Sequence, residues 1–347
     1  MYKTNIKLEG MTTGHIQGIA TDAEKKYMYY SFTTSLIKTD MNGNVIGSVK
    51  GLAGHLGCIA YNYEDGRVYG SLEYKNDCIG AEILERINKN SEKKIEVAEG
   101  FYIAVFDVEK IDRVDMDAEK DGIMKAVHLN EVLDDYLADG HKYACSGIDG
   151  MTFAPLPGDV RGKKYLYVAY GVYGDINRND NDHQVILRYD ISDWRKYEKS
   201  LNQSDMHKEG PEKPDSKYFV YTGNTEYGIQ NLEYDAYTGC LFAAVYVGHK
   251  ECFPSYPMFV IDLNKRAEVA ELENLNETGE VLALADIGLC DEKTCIHGID
   301  FPYGSTGMIS LGDGYFYFSR HFVEDNKWGT SIGLYKFDGK AGFVEIE

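Results

Sequence analysis

The chain has 347 residues, with 36 lysines and arginines against 56 aspartates and glutamates, and so a formal net charge of −20. Such a charge repels phosphate backbones and anionic lipid, which argues against a nucleic-acid partner and against a membrane partner. A cationic or neutral small-molecule ligand fits better, and no stretch approaches the ~20 apolar residues of a membrane span.

The first predicted element is a strand at residues 4–10, and the last is a strand at residues 342–347. Between them lie five similar segments. Each begins with polar residues or glycine, continues as a short apolar run, and has a small residue at its third or fourth place. That pattern suits strands crowded around a central axis, so we interpret each segment as the innermost strand of a blade. The five segments are 15–22, 55–62, 147–154, 228–235 and 296–303.

A second strand follows each segment across a turn that is rich in glycine, aspartate and proline. These strands are dense in tyrosine, valine and phenylalanine, which suit a pleated surface. A third strand then ends in aspartate, and we expect that carboxylate to accept backbone hydrogen bonds from the next turn. The second strands are 26–33, 67–74, 164–172, 240–247 and 314–322, and the aspartates are Asp40, Asp107, Asp190, Asp262 and Asp338.

The spacing between these aspartates exceeds the ~40–45 residues of an ordinary propeller blade, so the chain must carry insertions. Two of them, 80–94 and 129–140, place apolar residues three or four apart and are predicted to be helical. A third, 194–217, is predicted to be a polar loop with room for one helical turn. The two terminal strands are expected in the same final blade, because that closure hides edges that would otherwise pair with neighbours.

The repeat resembles that of the five-bladed β-propeller group as a whole and covers nearly the full chain. That group includes arabinanase- and invertase-like glycosidases, calcium-dependent apyrases, plant-type glutaminyl cyclases and tachylectin-like lectins, and the repeat singles out none of them. The predicted fold is an all-β, five-bladed β-propeller with small helical insertions, formed by residues 1–347 as a single domain. Six blades is the alternative count.

The seven cysteines are odd in number and scattered, and they include no CxxC pair. Several lie inside apolar runs. We interpret them as small core residues in a reducing compartment, which predicts a cytoplasmic protein. Residues 1–15 lack the apolar core of a secretory signal, in agreement with that location.

Chain direction predicts where polar side chains gather. In a propeller the innermost strand starts, and the second strand ends, at the same face, so side chains from both sets surround one mouth of the axial channel. Converging polar groups in a concave site are the default hypothesis for ligand binding. The strand starts supply His15, Gln17, His55, Asp149, Gln230 and His297, and the strand ends supply Thr33, Glu73, Tyr246, Arg320 and His321.

Four histidines fall in this set and leave several roles open. Three histidines with a carboxylate could hold a divalent metal, the one cofactor that the sequence suggests. A histidine could instead be a general base, with a carboxylate orienting its ring and Arg320 holding a carboxylate or a developing oxyanion. A purely structural role, with the rings bonded to backbone and water, is the third alternative. We predict His297, His321, Glu73 and Arg320 as catalytic residues, and His15, Gln17, His55, Asp149, Gln230 and Tyr246 as substrate-binding residues.

The loop 173–184 is rich in the oxygen ligands that calcium prefers. Asp175, Asn177 and Asn179 match the opening of an EF-hand loop. The match then fails, because Asp180 stands in the place of the required glycine and Ile186 in the place of the required glutamate. An exposed turn beside the mouth is therefore favoured over a calcium site.

The resemblance also allows a test for glycosidase chemistry, which needs two suitably separated acids. The propeller glycosidases carry an aspartate near the start of the first inner strand, where this chain has His15 and Gln17. Glu73, Asp149 and Asp300 do not restore that arrangement, which argues against a standard retaining or inverting glycosidase.

Mixed histidine, glutamate and arginine chemistry suits a lyase, or a hydrolase of esters or lactones. The predicted function is therefore a hydrolase or lyase that acts on a small polar metabolite, carbohydrate-derived ones included. The alternative is a non-catalytic ligand-binding or protein-interaction propeller. The ligand positions differ from blade to blade, which counts against a multivalent lectin but not against a receptor for one ligand. The sequence leaves the oligomeric state open.

Overall fold

The structure is a computed structural model that describes residues 2–89 and 96–347. The first part of the chain forms β1 (Asn5–Met11), β2 (Ile16–Thr21), β3 (Tyr27–Phe32), β4 (Ser35–Asp40), β5 (Val45–Lys50), β6 (His55–Asn62), β7 (Arg67–Tyr74), β8 (Gly100–Phe106), β9 (Met116–Asp117), β10 (Met124–His128), β11 (Cys145–Ala154), β12 (Tyr165–Val172) and β13 (His183–Tyr189).

The second part forms β14 (Lys199–Ser200), β15 (Ser216–Tyr221), β16 (Thr225–Asp235), β17 (Cys240–Val247), β18 (Met258–Asp262), β19 (Glu268–Glu271), β20 (Thr278–Val281), β21 (Leu289–Cys290), β22 (His297–Gly298), β23 (Met308–Gly312), β24 (Tyr315–Glu324), β25 (Lys327–Phe337) and β26 (Phe343–Glu345). The helices are α1 (Cys78–Asn88) and α2 (Asn130–Leu137), with 3-10 turns at Val108–Lys110, Lys142–Ala144 and Trp194–Lys196.

Five mainly antiparallel sheets radiate from a common axis, and two of them add a parallel strand pair at the outer side, β5 with β9 and β15 with β20. Their innermost strands are β2, β6, β11, β16 and β23, and in each sheet the next strands of the chain follow outwards. Each innermost strand packs against the next one, β2 on β6, β6 on β11, β11 on β16 and β16 on β23, and β23 returns to β2. This closed ring confirms the five-bladed β-propeller.

The core lies between the blades rather than in one central mass. Each of five hydrophobic clusters joins the facing surfaces of two neighbouring blades. Tyr29 and Tyr69 are examples of fully buried second-strand tyrosines in these layers. Because strand side chains alternate between the two faces of a sheet, each blade presents one apolar face to each neighbour.

The ring closes on the N-terminal strand, as predicted. Strand β1 pairs with β25 in antiparallel fashion, and β26 pairs with the far end of the same strand. Ile6 and Leu8 of β1 are only 1% and 3% exposed. The last blade therefore contains chain from both ends of the described sequence, and its outer edge is covered.

The prediction that residues 296–303 form the fifth inner strand is wrong. In that segment His297 and Gly298 form β22, which pairs with β21, and Ile299 bridges Met258 at the outer edge of the fourth blade. The true inner strand of the fifth blade is β23, which follows a few residues later. Both segments are short apolar runs after glycine, so local pattern did not separate them.

The aspartates that end the third strands accept backbone hydrogen bonds from the following turn, as predicted, with one exception. Asp40, Asp190, Asp262 and Asp338 each accept at least one backbone N–H of the following turn. Asp107 instead precedes a 3-10 turn without a side-chain cap, and it forms an ion pair with Lys110.

The helical insertions were also predicted, with different bounds. α1 begins after Asp77, whose carboxylate accepts a hydrogen bond from Gly80 N at 2.8 Å, and positions 90–94 of the predicted helix lie outside the described residues. α2 lies inside the predicted range 129–140. No helix in residues 2–89 and 96–347 is long and apolar enough to cross a bilayer.

All seven cysteines belong to the described residues and are free thiols. Cys58, Cys145 and Cys240 are buried, as expected for core residues. The other four are exposed, so the prediction of core cysteines is wrong for them. The exposed ones are Cys78, Cys252, Cys290 and Cys295.

Candidate active site at one mouth of the channel

Inner-strand starts and second-strand ends meet at one face of the ring. His55 pairs with Glu73 across β6 and β7, and Glu226 pairs with Tyr246 across β16 and β17. The polar side chains on these positions therefore surround the upper mouth of the channel, which we define as the end where β2, β6, β11 and β16 begin.

An ion pair between Glu73 and Lys75 lies at the base of this mouth. Lys75 Nζ is 2.7 Å from Glu73 Oε1, and Glu73 Oε2 accepts a hydrogen bond from Ile148 N at 3.1 Å. Lys75 Nζ also donates to Ser146 O at 3.0 Å and lies 3.4 Å from Asp77 Oδ2. The ammonium is thus shared between the second blade and the start of the third.

Lys75 was absent from the sequence prediction. It follows β7 by one residue, and the predicted set stopped at the end of that strand. The sequence Glu-Tyr-Lys could have indicated this ion pair, because Glu73 and Lys75 are two positions apart on an extended chain and so face the same side.

Asp149 lies beside this ion pair at the start of the third blade. Its Oδ2 accepts a hydrogen bond from Gln230 Nε2 at 3.3 Å, and Gln230 Nε2 also donates to Tyr227 O at 3.0 Å. Burial raises the pKa of Asp149 well above its usual range, and the neighbouring Glu73 carboxylate adds to that shift. Burial also raises the pKa of Glu73. The Lys75 ammonium lowers the pKa of both carboxyl groups, but its ion pair is with Glu73.

The close approach at Asp149 explains a glycine on the neighbouring inner strand. A Cβ atom on Gly57 would lie 2.4 Å from Asp149 Oδ1 and 2.6 Å from Ser71 Oγ. A side chain at position 57 would force Asp149 and Ser71 to move, so the glycine lets the second blade contribute bare backbone where the third contributes its carboxyl group.

The first and second blades supply neutral imidazole rings. Gln17 Nε2 lies 3.1 Å from His15 Nε2 and 3.4 Å from Thr33 Oγ1. Burial lowers the pKa of His15 to about 4, and His55 and His321 act in the same direction. Burial lowers the pKa of His55 to about 3, helped by Lys75. Both rings are therefore uncharged at neutral pH.

One ring nitrogen of His55, Nδ1, forms no hydrogen bond within the described residues. Its Nδ1 is 3.6 Å from Glu73 Oε1, which is too long for a hydrogen bond, and that nitrogen is buried without a hydrogen-bond partner among the described residues.

Below these groups the channel is crossed by Asn231. Its Nδ2 donates to Gln17 O at 2.8 Å and to Ser305 O at 2.9 Å, joining the fourth blade to the first and to the loop before the fifth. Tyr246 lies above this level, and burial raises the pKa of its hydroxyl, with the neighbouring Asp149 as a second cause. The cross-axis bonds separate the upper mouth from the lower half of the channel.

The remaining predicted residues lie further out. His321 is exposed at the rim, with its ring 6.3 Å from the ring of Trp328, which in turn lies 5.6 Å from the ring of His15. Arg320 forms an ion pair with Glu345 and lies over the rings of Tyr303 and Tyr335. Successive strand side chains point to opposite faces, which separates Arg320 from its neighbour His321.

His297 lies on the outer edge of the fourth blade, because its segment is not an inner strand. Its Nε2 is 3.8 Å from Asp286 Oδ1. The structure thus brings Glu73, Asp149, His15, Gln17, His55, Gln230 and Tyr246 to one mouth. It does not bring Arg320 or His297 there.

The two metal sites that the sequence left open, at the mouth and in the loop 173–184, have no matching ligand set among the described residues. Among residues 2–89 and 96–347, no group of three or more His, Cys, Asp or Glu side chains is arranged to hold a metal ion. In the loop 173–184, Asp175 accepts hydrogen bonds from Asn177 N at 2.9 Å and from its side chain at 3.1 Å, while Arg178 pairs with Asp180. That loop is an Asn/Asp turn held by its own hydrogen bonds.

Comparison with known proteins adds no family. No protein-family model and no curated protein matches the sequence. Among solved structures the chain is similar to the soluble aldose sugar dehydrogenase from Escherichia coli in its apo form. That alignment has 9% sequence identity and a TM-score of 0.40, and it covers 95% of this chain and 99% of that chain. A likeness of this size carries no argument about activity, and the propeller rests on the ring of inner strands described above.

Proposed function

We propose that the protein is a hydrolase or lyase that acts on a small, neutral, polyhydroxylated metabolite at the upper mouth, with Asp149 as its general acid. One observation carries the proposal: the Asp149 carboxyl group lies beside Glu73, and Glu73 is in an ion pair with the buried Lys75. Two neighbouring carboxyl groups with unequal charge partners are driven to different protonation states, which is the arrangement that acid–base enzymes use.

In this proposal Asp149 holds the proton of the two carboxyl groups, because the Lys75 ammonium is paired with Glu73 rather than with Asp149. Its proton passes to the leaving oxygen of the substrate as the carbon–oxygen bond breaks. In hydrolysis the attacking water supplies the proton that restores Asp149, and in elimination the adjacent C–H bond supplies it. Glu73 and Lys75 act through Asp149 and are positioning residues, because both are buried and satisfied by each other.

The groups that face the mouth favour an uncharged substrate. His15 and His55 are neutral, and Gln17, Gln230 and Tyr246 offer amide and hydroxyl groups that can both donate and accept hydrogen bonds. The Lys75 ammonium is committed to Glu73, Asp77 and Ser146 O, so it has no donor left for an anion. Sugars, lactones and their derivatives match such a surface.

The net charge of −20 supports a small-molecule ligand over nucleic acid or a membrane surface. The seven free thiols support a reducing location, for which we propose the cytoplasm.

The experiment uses purified protein and a panel of aldonolactones, nitrophenyl glycosides and the matching aldonates, followed by thermal shift and by product analysis. We expect stabilisation and turnover with neutral compounds and none with aldonates. Asp149→Asn should lower turnover at least 100-fold, on the usual scale for losing a general acid. Asp112→Asn is the matched control, because Asp112 is 74% exposed.

The outcomes separate the candidates. Unchanged turnover in Asp149→Asn would exclude Asp149 as the acid. Stabilisation by a neutral compound without any product, from wild-type protein, would favour the non-catalytic receptor instead.

A further inference from the structure

A second cavity lies on the axis at the opposite end of the channel. It measures about 40 Å³, and residues of all five inner strands line it, together with Tyr63 and Lys164 from two loops. Asn231 precedes Glu233 by two positions on β16, so its cross-axis bonds lie between this lower cavity and the upper mouth. The lower cavity is therefore separate from the proposed active site.

Glu233 supplies the only carboxyl group of the described lining. Its Oε1 accepts a hydrogen bond from Ser310 N at 2.9 Å, and its Oε2 accepts one from Thr152 Oγ1 at 3.3 Å. Both donors are neutral, and each carboxylate oxygen keeps a second lone pair. Burial raises the pKa of Glu233 to about 7, while Lys164 favours the ionised form.

Lys164 supplies the opposite charge across the same cavity. Its Nζ lies 5.4 Å from the centre of the Tyr234 ring and 5.8 Å from that of the Tyr63 ring. Ring faces attract the ammonium without using its hydrogen-bond donors. Neither Lys164 nor Glu233 forms an ion pair with another residue of the described chain. A carboxyl group and an ammonium group thus face one small cavity, each without a charged partner in contact.

We propose that the lower cavity is a second ligand site, which takes a small amino-acid-like zwitterion with its amine on Glu233 and its carboxylate on Lys164. A zwitterion meets both charges in one molecule, and hydrogen bonds between charged groups are the strong ones. The volume sets the size: a cavity of that kind holds about three waters, so a ligand with the backbone of glycine or alanine fits. Tyr63 and Tyr234 would enclose the ligand from the solvent side.

The test is calorimetric titration of the full-length protein with glycine, and with methylamine and acetate as half-ligands. We expect glycine to bind at least tenfold more tightly than either half-ligand. Glu233→Gln should weaken glycine and methylamine binding tenfold or more, and Lys164→Met should do the same for glycine and acetate. Glycine binding should strengthen from pH 6 to pH 8 as Glu233 ionises.

Both variants are conservative, since glutamine can still accept from Ser310 N and methionine keeps most of the lysine stem. Melting temperatures and circular dichroism of both variants establish that they fold. Absence of glycine binding to the wild-type protein would overturn the proposal, and so would equal binding to wild type and to both variants. Asp149→Asn is the control for the upper mouth and should bind glycine normally. If that variant alone loses glycine, the zwitterion binds at the upper mouth and the proposal is wrong.

Discussion

Lys75 Nζ lies 2.7 Å from Glu73 Oε1, and only 9% and 5% of the two side chains are exposed. A buried ion pair is stable only when its other hydrogen-bonding sites are also satisfied. Here Ile148 N donates to the carboxylate and Ser146 O accepts from the ammonium. The pair thus joins the second blade to the third beneath Asp149, and removing one member leaves the other uncompensated.

Lys75→Met is expected to destabilise the protein by about 3–5 kcal/mol at pH 7, because Glu73 would remain as a buried carboxylate without its cation. Urea unfolding measures the loss. The double variant Glu73→Gln with Lys75→Met should recover part of it. Lys163→Met is the control, since Lys163 pairs with Asp190 at 42% exposure and should cost no more than about 1 kcal/mol. Equal costs for the two lysine variants would contradict the burial of the Glu73–Lys75 pair.

Glu73→Gln should change the pH profile of turnover rather than abolish turnover. The proposed reaction needs protonated Asp149, so the rate falls as pH rises through the pKa of that group. Removing the neighbouring negative charge lowers this pKa, and the falling limb moves to lower pH. Rate measurements across the pH range test the shift. Glu226→Gln changes another glutamate at the mouth and should leave the limb in place, whereas a limb that stays put in Glu73→Gln would argue against the coupling.

Leu8→Ala should destabilise the propeller by about 2–5 kcal/mol, the usual cost of truncating a buried leucine. Leu8 is 3% exposed on β1, between the last blade and the first. Val344→Ala on β26 is the comparison, because Val344 is 58% exposed and should change stability by no more than about 0.5 kcal/mol. Chemical denaturation of both variants decides whether β1 carries the closure. A negligible cost for Leu8→Ala would mean that it does not.

His183→Phe should flatten the loss of stability on the acid side. His183 is 3% exposed, its ring lies 5.1 Å from that of Tyr221, and burial lowers its pKa to about 4. The unfolded chain takes up a proton near pH 6.5 and the folded chain resists until about pH 4, so stability falls as pH drops between these values. The histidine accounts for at most about 3 kcal/mol of that fall. Unfolding curves at pH 7 and pH 4.5 compare the two proteins, and identical slopes would show that His183 is not the buried neutral group described.

Most of the fold could be predicted from local sequence, because four of the five inner strands share one pattern, a polar or glycine start followed by a short apolar run. The fifth inner strand could not be predicted, because the segment around His297 has the same pattern but lies at the edge of a blade. Nothing local distinguishes an apolar strand at the axis from one at the rim. The two kinds of strand differ in the strand with which they pair, and the sequence of a segment does not indicate a partner that is distant along the chain.

The positions of the site residues could be predicted where the strands that carry them were predicted correctly. Chain direction alone brought Glu73, Asp149 and His55 to one mouth, since strand starts and ends fix their level along the axis. The proposal of Asp149 as the acid, in place of a histidine, rests on its burial and on the Glu73–Lys75 ion pair beside it, and no sequence pattern reports either of these. Arg320 was misjudged for a simpler reason, because its strand alternates and Tyr303, Tyr335 and Glu345 lie on its side.

The pairing of β1 with β25 also sets an order of events during synthesis. β1 is synthesised before the four intervening blades and its partner β25 after them, so the apolar side chains of β1 stay unpaired while those blades assemble. Contacts this distant along a chain form slowly. We therefore expect nascent chains that stop before β25 to form open rings in which the apolar side chains of β1 are exposed. Such surface promotes aggregation unless chaperones bind it.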